Sequence, residues 1–154
     1  MRAIIQRVTR ARVTVGHERI AEIGTGMLVL LGVTHSDTVD AAARLAKKVA
    51  GLRIFEDGEG KMNLDILAIG GEVLCVSQFT LYGDARRGNR PSFDGAAAGV
   101  QAEPLYERFC TEIEKSGVIC HRGRFGADMQ VELVNHGPVT LILDTDELDR
   151  PRHA

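Results

Sequence analysis

A chain of 154 residues with 44% apolar side chains can bury the core of one domain. Its longest apolar run, residues 27–31, is far too short to cross a bilayer, so no membrane partner is expected. A net charge of −2 and a pI of about 6.2 give no general attraction to nucleic acid, so such a partner must be held by a local patch.

Residues 2–8 and 11–15 alternate in character and predict two strands, turned at Gly16-His17. The opening MRAIIQRVTRARV interrupts each apolar pair with Arg, Gln or Thr and does not read as a secretory signal. Residues 19–23 continue the meander, and residues 27–33 are continuously apolar, which predicts a central strand. Ser36 suits an N-cap. Val39, Ala42, Ala43, Ala46 and Val49 or Ala50 follow at helical spacing up to Gly51. Residues 52–55 predict a strand, and EDGEGKMN predicts a turn-rich connection. Residues 72–82 are the longest predicted strand, and 83–99 form a loop rich in Gly and Arg. Leu105, Phe109 and Ile113 mark one face of a second helix, with Pro104 in its first turn and Gly117 at its end. Strands at 118–121, 128–134 and 139–144 complete the chain, and the tail after Asp146 reads as loosely ordered. Many strands and short connections predict one α+β domain over residues 1–154. Its sheets are mostly antiparallel and form a barrel-like core with about two main helices.

The loop GDARRGNR (83–90) has the glycine spacing of a phosphate-binding P-loop. Asn89 and Arg90 stand where that motif needs Lys and Ser or Thr, and Pro91 blocks an immediate helix, so nucleotide hydrolysis is excluded. Arg86, Arg87 and Arg90 leave two readings open: a solvated loop, or a phosphate-grasping loop suited to an RNA backbone. His17, His35, His121, His136 and His153 lack ligand spacing, so no metal and no cofactor are expected. Cys75, Cys110 and Cys120, without a CxxC spacing, read as reduced core thiols of a cytosolic protein.

Two stretches do not fit their strands. EVLCV is apolar on both faces, yet it delivers Ser77, Gln78 and Thr80 in quick order around Phe79. Buried hydroxyls and amides need partners, so this strand end must face a polar pocket, a dimer interface or water. A purely structural use of these residues also stands, because no nearby His or Asp completes a nucleophile–base pair. In VNHGPVTLIL, Gly137-Pro138 precedes a good strand although neither residue suits one. A turn, an edge-strand start and a cis bond are all compatible with that pair.

Taken together, SQFTLYGD, the arginine loop after it, FGADMQVELVNHGPVT and the opening MRAIIQRVTRARVTV resemble the D-aminoacyl-tRNA deacylase family. The resemblance covers nearly the whole chain, in order. It implies a cytoplasmic homodimer of barrel-like subunits that hydrolyses D-amino acids from tRNA, with active sites at the subunit interface. It also implies that Gly137-Pro138 is cis and enters the partner's active site. There its backbone would exclude the Cβ of an L-residue and let many D-residues and glycine pass, so glycyl-tRNA is a potential substrate. Backbone N–H groups near Phe79 and Thr80 would hold the ester carbonyl oxygen, and Ser77 and Gln78 would order the site. Phe79, Phe125 and Met129 would pack near the terminal adenosine. Arg86, Arg87 and Arg90 would contact tRNA phosphates. Either Thr80 or water activated by the adenosine 2′-OH would attack the ester. Two other classes stay in play: a Thr-nucleophile hydrolase of small esters or peptides, and a non-enzymatic RNA- or chromatin-binding module.

Overall fold

The computed structural model describes residues 1–152, which leaves His153 outside the described residues. The two N-terminal strands expected from the sequence are one. Strand β1 runs over Arg2–Val15 and organises the sheet. Along one edge it pairs antiparallel with β3 (Gly26–Gly32) through its first half and β2 (Glu18–Ile23) through its second. Along the other edge it pairs with β8 (Gln130–Asp144). Beyond β3 the order continues through β6 (Glu72–Ser77) to β7 (Cys120–Arg122). The β3–β6 and β6–β7 pairings are parallel. Parallel neighbours need long crossovers, and helices α1 (Val39–Ala50) and α2 (Gly99–Lys115) lie in them.

The apolar faces of α1 and α2 account for the main core. Leu45, Ala46 and Val49 meet Leu105, Phe109 and Ile113 over the inward residues Ile5, Val29, Leu31 and Val73. A second cluster of Val8, Val13, Ile23, Leu28, Leu74 and Val76 fills the space where the sheet curls towards a barrel. Cys75, Cys110 and Cys120 are buried free thiols in the main core, and burial pushes the Cys75 thiol up. Among the described residues, no helix is long and apolar enough to cross a membrane.

Local details differ from the sequence expectations for identifiable reasons. The cap of α1 is Thr38 instead of Ser36; its hydroxyl accepts from the Ala41 N–H at 3.2 Å. Helix α2 starts before Pro104, because the Ala98 carbonyl already accepts from the N–H groups of Gln101 and Ala102. Of residues 52–55 only Phe55 joins a strand: β4 (Phe55–Glu56) pairs with β5 (Met62–Leu64) in a separate small sheet. Strand β7 begins two residues later than expected, at Cys120. The strands expected at 128–134 and 139–144 are continuous as β8. Past Asp146 the chain stays helical to Leu148 in α3 (Thr145–Leu148), which is capped by the Asp144 carboxylate.

Candidate functional site

The predicted strand 72–82 stops at Ser77. The Leu31 carbonyl accepts from the Gln78 N–H at 2.8 Å, and residues Phe79–Tyr82 then wind into a single 3-10 turn. Gly32 makes room for that turn, since a Cβ there would lie 3.1 Å from the Leu81 Cβ and 3.2 Å from the Gln78 carbonyl. The alternation that would place Ser77 with Phe79 and Gln78 with Thr80 therefore ends. Instead the Gln78 amide donates to the Thr80 hydroxyl. The N–H groups of Phe79 and Thr80 open the turn and take no protein partner among the described residues. Two adjacent free N–H donors can hold a developing oxyanion.

These residues border a cleft of about 450 Å³. Ser77, Gln78 and Phe79 line one side, and residues 125–129, including Phe125 and Met129, line the other. Phe125 leans on Tyr106 with ring centroids 5.9 Å apart, and the Tyr106 hydroxyl donates to the Cys75 carbonyl at 2.7 Å. The apolar wall is thus anchored in the core. Five of the expected site residues meet in this cleft, and Thr80 joins them through Gln78. No His, Asp or Glu hydrogen-bonds to Ser77 or Thr80 among the described residues, and an amide donor cannot accept the Thr80 proton. Among the described residues, no group of three His, Cys, Asp or Glu side chains is placed to hold a metal. A second cleft, of about 460 Å³, lies over β1, β2 and β8 and is bordered by Arg10, Arg12, Glu22 and Glu132. Arg12 is engaged by Glu132 through bonds of 2.5 and 2.9 Å, and that cleft contains no nucleophile and no aromatic ring.

The three arginines of the loop are not equivalent. Arg86 donates from Nε and Nη2 to the Asp84 carboxylate at 2.6–3.0 Å. These bonds hold the Asp84 carboxyl down at about 2. Reciprocal backbone bonds between Asp84 and Ser92, at 2.7 and 2.8 Å, close the loop. Arg87 and Arg90 are exposed and form no ion pair among the described residues.

Gly137-Pro138 lies elsewhere, outside the lining of the cleft. In the β1–β8 ladder Gln6 pairs with Thr140 and Val8 with Asn135. Arg7 alone therefore faces residues 136–139, and the surplus chain is pushed out as an exposed bulge. The Gly137-Pro138 bond is cis, and Gly137 has φ +124°, a conformation that L side chains rarely adopt. Asn135 closes the neck: its amide donates to the carbonyls of Arg7 and Val139, both at 3.0 Å. Beneath it Arg7 is only 4% exposed, and its guanidinium donates to the carbonyls of His136 (3.2 Å) and Ile54 (2.7 Å). Arg7 and Asn135 are site residues that the sequence reading missed. A signal for Arg7 exists, since it follows Ala3 and Ile5 at the inward parity of β1, where a charge is out of place.

Residues 4–144 match the family model described as D-Tyr-tRNA(Tyr) deacylase. A D-aminoacyl-tRNA deacylase of Symbiobacterium thermophilum is 58% identical over 147 residues, covering 96% of this chain and 97% of that one. The Thermus aquaticus protein of the same name is 56% identical with the same coverage. Among solved structures, a c-Myc DNA unwinding element binding protein superimposes with a TM-score of 0.87 at 44% identity, covering 94% of this chain and 98% of its own. A probable eukaryotic D-amino acid tRNA deacylase has a TM-score of 0.77 at 18% identity, covering 92% of this chain and 97% of its own, and shares the fold. With the family model matched over residues 4–144 and relatives more than half identical over nearly their whole length, the chain belongs to the D-Tyr-tRNA(Tyr) deacylase family.

Proposed function

We propose that this protein is a hydrolase that cleaves the ester of D-aminoacyl-tRNA to free D-amino acid and tRNA, and that it rejects L-aminoacyl esters with backbone atoms. The observation that carries this reading is the pair of free N–H donors at Phe79 and Thr80 on the rim of a half-apolar cleft. The ester carbonyl oxygen sits against those donors, which stabilise the charge that develops as water adds. Phe125 and Met129 pack on the terminal adenosine, and Ser77 and Gln78 keep the polar rim in register. The Thr80 hydroxyl lacks a base, so the adenosine 2′-OH, adjacent to the ester, is the better activator of the attacking water.

Selectivity falls to Gly137-Pro138. Its bulge is exposed and cannot complete the cleft of its own chain, so a second copy supplies it across a homodimer. The apolar side chains that β8 exposes, Ile142 and Val134, support a subunit contact on that side. Fixed main-chain atoms of Gly137 and Pro138 occupy the space that the Cβ of an L-residue needs, while a D-residue turns its side chain away. Glycine has no Cβ, so glycyl-tRNA also passes. Arg87 and Arg90 meet the RNA phosphates, with Arg86 contributing less because Asp84 already holds it. A tRNA substrate places the activity in the cytoplasm.

A second reading, nucleic-acid binding without turnover, draws on the DNA-binding name of one structural neighbour. The experiment is deacylation of D-Tyr-tRNA beside L-Tyr-tRNA. Rapid release of the D-ester alone is expected. Tight binding with neither ester cleaved by folded protein would leave the second reading standing.

A further inference from the structure

Two of the five phenylalanines are exposed, and they touch each other. Phe55 and Phe109 are buried and Phe125 borders the cleft, but Phe79 is 55% exposed and Phe93 37%. The rings of Phe79 and Phe93 stand edge to face, with centroids 5.1 Å apart at 72°. Phe79 joins the pair to the cleft, since it lines the cleft and its main chain opens the 3-10 turn while much of its side chain stays exposed. Phe93 joins it to the arginine loop. It follows Ser92, which closes that loop onto Asp84. Its ring lies over Gly83, where a Cβ would sit 3.0 Å from the Phe93 Cε1. The Ala96 N–H bonded to the Phe93 carbonyl at 3.0 Å fixes the exit of the chain. The platform therefore links the cleft, through Phe79, to the loop that carries Arg87 and Arg90, which form no ion pair among the described residues.

We infer that Phe79 and Phe93 form a stacking platform for the base that precedes the terminal adenosine, with Arg87 and Arg90 on the phosphates that lead to it. This rests on the proposed tRNA activity. A single-stranded end that places its last nucleoside in the cleft must leave across the rim. There it meets apolar π surface beside positive charge, the combination that binds unpaired nucleotides. The rings recognise shape and not sequence, so the platform reads the presence of a preceding nucleotide without selecting its base.

The test compares full-length D-Tyr-tRNA with the minimal ester D-tyrosyl adenosine, in wild type, Phe93→Leu and Phe93→Tyr. Leucine keeps apolar packing on Phe79 and Gly83 but removes the aromatic face. Phe93→Leu is expected to raise KM for the tRNA about tenfold while KM and kcat for the nucleoside ester stay within about twofold, and Phe93→Tyr restores the tRNA value. A tRNA carrying 2-aminopurine before the terminal adenosine should lose fluorescence on binding wild type and lose less with Phe93→Leu. Equal penalties on both substrates would show mere support of the turn and overturn the inference, as would an unchanged KM for tRNA. A changed sedimentation state of Phe93→Leu without a selective tRNA penalty would assign the rings to a subunit contact and also overturn it. If wild type cleaves neither ester, the proposed activity fails, and the 2-aminopurine signal alone decides: quenching keeps the platform, and its absence removes it.

Discussion

The cleft at the end of β6 and the bulge in β8 both arise where a strand stops pairing, but in opposite senses. At Ser77 the strand ends inward. The Leu31 carbonyl captures Gln78, the chain tightens into a 3-10 turn, and two N–H groups are left without a partner among the described residues, beside a hollow. At His136 the strand swells outward. One residue of β1 faces four of β8, and hydrogen bonds from Arg7 and Asn135 hold the bulge in shape. The first region offers donors and space, whereas the second offers a fixed obstacle and no space. The proposed selective hydrolysis uses both, and one chain keeps them apart.

The largest effect is expected at the obstacle. In Gly137→Ala a Cβ would meet Val139 Cγ2 at 2.8 Å and Arg7 Nη2 at 3.0 Å, at a φ that alanine resists. The bulge must move, and D-Tyr-tRNA turnover should fall about a hundredfold, as misplacement by an ångström typically costs. Unchanged turnover and selectivity would mean that the obstacle is not part of the site. Next comes its support. Arg7→Met strands the carbonyls of Ile54 and His136, so a loss of about 1–3 kcal/mol in urea unfolding is expected, together with a narrower D/L ratio. A stability loss with full selectivity would separate the guanidinium from the filter.

In the cleft region the expected effects are smaller. Arg87→Glu with Arg90→Glu should raise KM for tRNA about tenfold and flatten its salt dependence by about 0.7 per lost phosphate contact. A constant KM would return these residues to the solvated-loop reading. Thr80→Ala removes only the hydroxyl that accepts from Gln78, so kcat should drop no more than about tenfold, the worth of one hydrogen bond. Complete loss in a folded, tRNA-binding variant would make Thr80 the nucleophile. The smallest effect is titration of Asp84. Its carboxyl is held at about 2, below the ordinary 3.8, so the clamp on Arg86 favours the closed loop above the ordinary value and is lost as pH falls towards 2. Carboxyl NMR should find that low midpoint in wild type and one raised towards the ordinary value in Arg86→Ala, where the backbone N–H of residue 86 still donates to Asp84.

Legibility in the sequence follows the same divide. The helical spacing of Ala42, Ala46 and Val49 and the apolar run of β3 report burial directly, so the layers and the α+β class could be read from them. The change from strand to turn after Ser77 could not. SQFTLY is good strand sequence, and what bends it is a carbonyl of β3 and the space at Gly32, both remote in the chain. Phe125 and Met129 join Ser77, Gln78 and Phe79 only through the family resemblance, since the residue types alone are compatible with a structural role. Arg7 was legible in principle as a charge on the inward side of β1, but its role depends on a carbonyl 129 residues away. The mutual bracing of Phe79 and Phe93 depends on the Asp84–Ser92 closure, which no periodicity encodes.

The central claim is that the cleft of one chain works with the bulge of another, and subunit mixing tests it most directly. Gln78→Ala alters only the cleft, and Gly137→Ala alters only the bulge. Co-refolded with two different tags and purified through both, the mixed dimer contains one site in which an intact cleft meets an intact bulge. D-selective turnover restored to about half that of wild type, from two weakly active parents, is the result expected when each bulge serves its neighbour. Mixed dimers that form but stay as weak as their parents would contradict that arrangement and return the bulge to its own chain.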